Sequence, residues 1–166
     1  MRLLLIDDDP LVRAGLRLIL GGSSGLEVVG EGSDGSEAVA LVEQHRPDVV
    51  LMDIRMPTLD GIAATEQVLA LPDAPRVVVL TTFDADDMVL RALGVGAHGF
   101  LLKDTPPPRM VEAIRQVAAG EQILSPTVVS QVISFATQGA ASSRRDAARA
   151  DLAELKVGDV DGTPRM

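Results

Sequence analysis

The chain reads as an α/β protein built on a doubly wound parallel sheet. Three observations carry that reading. Short, mainly apolar runs recur five times, at Arg2–Ile6, Leu26–Gly30, Val49–Met52, Arg76–Leu80 and Phe100–Leu102. Runs of this kind mark strands buried on both faces, as in parallel sheets. Between them lie stretches with apolar residues at helical spacing, and strand–helix alternation with short connections specifies right-handed crossovers that put helices on both faces.

The elements follow in order. The first run meets Asp7-Asp8-Asp9-Pro10. Pro10 suits the first turn of a helix and Asp9 its N-cap. Leu11, Gly15, Leu18 and Ile19 then fall near one helical face, and Gly21-Gly22 stop the helix. Ser33-Asp34-Gly35-Ser36-Glu37 is a turn and cap. Ala38, Leu41 and Val42 line the second helix, which Arg46-Pro47 ends.

The third strand runs straight into Asp53, and Pro57 prevents its continuation. Arg55–Gly61 leads into a helix through Ala70. Thr81-Thr82-Phe83 sits at the tip of the fourth strand, and Asp84 caps a helix to about Leu93. The fifth strand ends in Lys103-Asp104, and Pro106–Pro108 opens a helix stopped by Gly120. Ser125-Pro126 caps a further helix, about Thr127 to Thr137. The expected division is a domain over 1–122, an extra helix over 123–138, and a linker or tail over 139–166 rich in small and polar residues.

Composition narrows the function. The 166 residues include no Cys, which excludes disulfides and thiolate metal sites, and His45 and His98 are too far apart in sequence to suggest zinc. No apolar run approaches the roughly 20 residues of a membrane span, and the N-terminus does not read as a signal peptide. The expected compartment is therefore the cytoplasm. Formal net charge is −9, with 10 Lys/Arg against 19 Asp/Glu over 1–138 and 5 against 5 over 139–166. An acidic surface repels phosphate backbones, so tight DNA binding by this stretch is not expected.

In a doubly wound sheet, chemistry sits in the crevice beyond the carboxyl ends of the strands. Those ends deliver Asp7 and Asp8, Asp53, Thr81 and Lys103. Carboxylates gathered in one pocket repel each other unless a cation is present. Mg²⁺ binds through one or two carboxylates, waters and a phosphate. The arrangement points to Asp53 as a nucleophile toward phosphorus, with a metal and the Lys103 ammonium offsetting the developing charge. Taken singly, each residue has a plainer reading: a solvated cap, a strand-end hydroxyl, a surface cation. Five such residues at successive strand ends make the joint reading the stronger one.

Four motifs now carry a resemblance: Leu5-Ile6-Asp7-Asp8-Asp9-Pro10, Met52-Asp53-Ile54-Arg55-Met56-Pro57, Leu80-Thr81-Thr82 and Gly99-Phe100-Leu101-Leu102-Lys103-Asp104. Together they resemble the receiver domain of bacterial two-component response regulators, over about Met1 to Gly120. The resemblance implies a flavodoxin-like (βα)5 fold with strand order 2-1-3-4-5. It implies Asp53 as phosphoacceptor, and Asp7, Asp8, Asp53 and the backbone carbonyl of Arg55 as Mg²⁺ ligands. Thr81 would be the switch hydroxyl, Phe100 the switch aromatic and Lys103 the phosphate-pairing cation. It also implies a sensor histidine kinase as phosphate source and homodimerisation on phosphorylation. The signal would leave by the face formed by the helix after Asp84, the fifth strand and the helix after Pro106.

Leu102-Lys103-Asp104 and Ala118-Ala119-Gly120-Glu121, followed by Leu124-Ser125-Pro126, are similar to the NarL/FixJ-type subfamily, in which a receiver precedes a LuxR-type helix-turn-helix domain. After Leu155 no pair of apolar helices follows, so transcription regulation through DNA would need a domain missing from this chain. Many receivers carry Pro after the lysine; here it is Asp104, so a trans bond is expected. A bulky Phe83 near the pocket would slow self-dephosphorylation. A phosphatase of the haloacid dehalogenase kind also uses a strand-tip Asp, but wants a second Asp two residues on, where this chain has Arg55. A stand-alone interaction module with a degraded pocket is disfavoured by the intact Asp8, Asp53 and Lys103. The expected protein is a phosphoacceptor switch, not an enzyme.

Overall fold

The computed structural model describes residues 1–81, 91–92, 94–124 and 133. The chain divides into two compact units, Met1–Val129 and Ser130–Met166. In the second unit only Ile133 is described, as an exposed helical residue.

The first unit is a parallel sheet with helices. Its strands are β1 (Arg2–Ile6), β2 (Glu27–Gly32), β3 (Val49–Asp53), β4 (Arg76–Thr81), β5 (Gly99–Leu102) and β6 (Ile123–Leu124), in the order β2-β1-β3-β4-β5-β6. Every pairing among them is parallel. The helices are α1 (Pro10–Gly21), α2 (Ala38–His45), α3 (Gly61–Leu69) and α4 (Pro107–Ala118), with a 3-10 turn at Gly35–Glu37. The doubly wound sheet and the 2-1-3-4-5 order are as expected, extended by one strand at the β5 edge.

Apolar strands explain the core. Residues alternate between faces. Leu3 and Leu5, Val49 and Leu51, Val78 and Leu80, and Leu101 form one cluster with Leu16 and Leu20 of α1 and Met110, Ala113, Ile114 and Val117 of α4. The alternate strand residues, among them Leu4, Ile6, Val50, Met52 and Phe100, are also fully buried. Ala38 and Val42 of α2 and Ile62, Ala64 and Val68 of α3 are buried too.

Four local expectations change. On α1 the buried face is Leu16 and Leu20, with Val12 and Ile19 half-buried, whereas Leu11 and Leu18 are about 80% exposed (81% and 80%). The helix has two apolar stripes, and the one with four large side chains removes more surface from water than the one with two leucines and Gly15. Second, β2 runs through Gly30 to Gly32 rather than stopping at Gly30. The room a side chain would need there is filled from α2: a Cβ on Gly30 would lie 2.7 Å from the His45 ring, and one on Gly32 2.7 Å from Leu41 Cδ1. Third, Asp53 belongs to β3 as its last residue.

Fourth, Ile123–Leu124 is a strand, not the start of the extra helix expected over 123–138. The β5 edge has open hydrogen-bonding groups, and a two-residue strand satisfies some of them, with Ile123 N–H donating to His98 O at 3.0 Å. The remainder of that helix, the 139–166 tail, Thr82, Phe83 and the Asp84 cap lie outside the described residues. At the end of the helix expected after Asp84, Arg91, Ala92 and Gly94 are helical. Among the described residues no peptide bond is cis, so Lys103–Asp104 is trans. No described helix is long and apolar enough to cross a membrane.

Candidate phosphoryl and metal site

Register aligns the strand tips. Ile6 pairs with Met52, Asp53 with Leu80, and Thr81 with Leu102. Asp7 therefore follows β1, Asp53 and Thr81 end β3 and β4, and Lys103 follows β5, all along one edge. Local chemistry holds each in place. Asp7 N–H donates to Gly32 O at 3.0 Å, and Lys103 N–H to Thr81 O at 2.9 Å. Asp9 caps α1 by accepting from Leu11 N–H at 2.9 Å, and its own N–H donates to Asp7 Oδ1 at 2.9 Å. Pro10 opens α1 as expected.

Asp7, Asp8 and Asp53 each offer a carboxylate oxygen, and the three oxygens lie within 4.8 Å of one another. Asp7 and Asp53 are buried and Asp8 is exposed. Lys103 Nζ stands 3.0 Å from Asp7 Oδ2 and 3.0 Å from Asp53 Oδ1. A cavity of about 520 Å³ opens here, lined by Asp8, Asp9, Pro10, Asp53, Ile54, Arg55, Thr81 and Lys103. Thr81 is buried, and Phe100 is fully buried inside the domain.

The electrostatics are those of an incomplete set. Burial, with Asp7 and Asp8 nearby, pushes the Asp53 carboxyl up to about 6 despite the lowering influence of Lys103. Burial alone would depress the Lys103 ammonium; its bonds to Asp53 and Asp7 outweigh that and hold it above the ordinary lysine value. Asp7 Oδ2 is buried and accepts no hydrogen bond of good geometry, although Lys103 lies beside it. Three carboxylates gather here, and the Lys103 ammonium lies beside two of them. An all-oxygen donor set of three carboxylates fits a hard divalent cation such as Mg²⁺.

Sequence reasoning read Asp34 only as part of a turn and cap, which it is, and missed the long-range bonds by which it and Gly61 hold this edge together. Gly61 N–H donates to Ile54 O at 2.7 Å, and a Cβ on Gly61 would lie 1.9 Å from Asp53 O. Only hydrogen at that position lets α3 start against the backbone of Asp53. Asp34 accepts from Ser36, Thr58 and Leu59 N–H groups. Both belong to Asp-Gly pairs, Asp34-Gly35 and Asp60-Gly61, and that repeated pair was the available signal. Arg13 and Arg17 of α1 are both engaged by Glu31 of β2. Arg13 also donates from Nη1 to Asp7 O at 2.5 Å.

A family model for the response regulator receiver domain matches residues 3–115. The chain belongs to the response regulator receiver domain family. Among similar proteins, the transcriptional regulatory protein LiaR of Bacillus subtilis is 42% identical over 134 residues, which are 81% of this chain and 64% of that protein. The uncharacterized transcriptional regulatory protein YxjL, also of B. subtilis, is 40% identical, again covering 81% of this chain, and 62% of YxjL. A crystal structure of a LuxR-family two-component response regulator from Aurantimonas sp. SI85-9A1 matches with a TM-score of 0.76 at 32% identity, covering 82% of this chain and 97% of that one. This receiver thus spans less than two thirds of the length of the curated relatives it matches. Its flavodoxin-like fold is that of a receiver domain, and its homologues are response regulators of the NarL/LuxR type.

Proposed function

We propose that the receiver, residues 1–122, is a phosphoacceptor switch modified on Asp53. The observation that carries this reading is the Lys103 ammonium set 3.0 Å from both Asp7 and Asp53 carboxylates at the tips of three strands. Asp7, Asp8, Asp53 and the backbone carbonyl of Arg55 would hold Mg²⁺. When bound, the ion supplies charge neutralisation for the carboxylates and the phosphoryl oxygens.

The chain's own residues do the rest. The Asp53 carboxylate attacks phosphorus in line while the bond to the donor, a phosphohistidine of a sensor kinase, breaks. Lys103 pairs with a phosphoryl oxygen as charge gathers there. The Thr81 hydroxyl hydrogen-bonds the phosphoryl group. The phosphoryl group thereby favours an arrangement with Thr81 drawn in and Phe100 buried. The output is a changed β5–α4 face and homodimerisation in the cytoplasm. Control of transcription would act through a DNA-binding domain outside this chain.

The test is intact-mass measurement after incubation with acetyl phosphate and Mg²⁺. Wild type should gain one phosphoryl group, and Asp53→Asn none. No gain on wild type, or an equal gain on Asp53→Asn, would remove the proposal. Steady turnover of a generic phosphomonoester would instead favour a phosphatase.

A further inference from the structure

The two segments that carry the proposed metal ligands are tied to a third that supplies none. That third segment is the end of β2 and the turn after it, Glu31 to Gly35. On one side, Gly32 O accepts from Asp7 N–H at 3.0 Å. Glu31 Oε1 accepts from Arg13 Nε at 3.1 Å, and the same guanidinium donates from Nη1 to Asp7 O at 2.5 Å. On the other side, Asp34 Oδ1 accepts from Thr58 N–H at 2.9 Å and Oδ2 from Leu59 N–H at 3.2 Å. Gly35 N–H donates to Leu59 O at 3.2 Å. The approach is so close that a Cβ on Gly35 would stand 2.3 Å from Leu59 O.

We propose that Asp34 is a positioning residue of the acid pocket, and that with Glu31 it forms a brace setting the distance from Asp7–Asp8 to the loop of Arg55. The inference rests on the metal-binding reading above. Mg²⁺ tolerates little departure from octahedral geometry, so a ligand on a loop is only as good as the loop's anchoring. Residues 55–60 form no regular element. Among their fixed points are Gly61 N–H on Ile54 O behind, and in front the Asp34 carboxylate and the bond from Gly35 N–H to Leu59 O. A carboxylate that accepts three backbone N–H groups is held in its charged form, and those bonds draw Asp34 down to about 2. The anchor therefore persists at any pH at which Asp53 is ionised.

The experiment is magnesium titration calorimetry on the full chain, paired with the Mg²⁺ dependence of phosphorylation by acetyl phosphate. Loss of a group that orients a metal ligand commonly weakens affinity 10–100-fold, so Asp34→Ala should weaken Mg²⁺ binding about tenfold and Asp34→Asn about threefold. The Mg²⁺ concentration for half-maximal rate should rise in step, while the rate at saturating Mg²⁺ stays within about twofold of wild type. Val42→Ala, a core truncation in α2 that lowers the melting temperature without touching the loop, should leave Mg²⁺ affinity unchanged. A folded Asp34→Ala protein with wild-type affinity overturns the brace. If that variant does not fold, wild-type affinity in Asp34→Asn overturns it equally. Absence of magnesium uptake by wild type overturns the metal-binding reading itself, and the brace with it.

Discussion

The two ends of the sheet treat polar groups in opposite ways. At the amino end two polar side chains are paired with backbone groups of neighbouring strands. Asp48 accepts from Arg2 N–H at 2.8 Å and returns its own N–H to Arg2 O at 2.8 Å. The His98 ring accepts from Val77 N–H at 3.1 Å. At the carboxyl end the Asp7, Asp8 and Asp53 carboxylates crowd together with one ammonium, an Asp7 oxygen lacks a hydrogen bond, and Asp53 is held up to about 6. The difference teaches which end is built for stability. Charge gathered at a cost persists where it has a task, and under the proposed function that task is to hold a cation and a phosphoryl group.

The largest effect should come from breaking the backbone contact beneath the pocket. Gly61→Ala forces a methyl to within 1.9 Å of Asp53 O, and should cost about 3 kcal/mol in urea unfolding. The same substitution at Gly15, whose Cβ would meet nothing within 4 Å, should be neutral or stabilising.

Next comes a gain. Asp53→Asn removes a buried charge that Lys103 offsets only in part, and should raise the stability of the metal-free protein at pH 7 by about 2 kcal/mol. The pH dependence fixes its origin. The Asp53 carboxyl titrates near 3.8 unfolded and about 6 folded. Between those values the folded state holds more protons, so this group's contribution falls as pH rises through the window. The advantage of Asp53→Asn over wild type should therefore shrink from pH 7 to pH 4, followed by chemical denaturation in EDTA. A constant advantage would mean that packing, not charge, is the cause.

A smaller loss is expected at the amino end. The His98 ring must be neutral to accept from Val77 N–H, and burial beside Arg76 holds its pKa below the ordinary value. Stability from this bond is present above about 6.5 and lost as pH falls below it. His98→Ala should cost about 1 kcal/mol at pH 8 and less at pH 5. Leu18→Ser, on an 80% exposed position, should change monomer stability by less than about 0.5 kcal/mol. If it also lowers the dimer fraction after phosphorylation, measured by sedimentation, the exposed stripe of α1 is a contact face.

Much of this was legible in the residues. Asp9-Pro10 reads as a cap because a carboxylate oxygen and a missing N–H suit the first turn. Asp53, Thr81 and Lys103 could be placed because apolar runs end sharply on them. The illegible parts depended on partners distant in sequence. The orientation of α1 turned on a competition between two apolar stripes. Strand β6 forms because the β5 edge offers partners, not because Ile123-Leu124 is strongly strand-like. The bonds from Asp34 to Thr58 and Leu59 span 24 and 25 residues, so no local pattern announces them.

The most direct test of the account is thermal melting of wild type and Asp53→Asn in EDTA and in saturating Mg²⁺. A cation that binds only the folded state raises its stability by mass action. The account predicts that Mg²⁺ raises the wild-type melting temperature by several degrees and that of Asp53→Asn by much less. Equal melting of wild type with and without Mg²⁺ would contradict it.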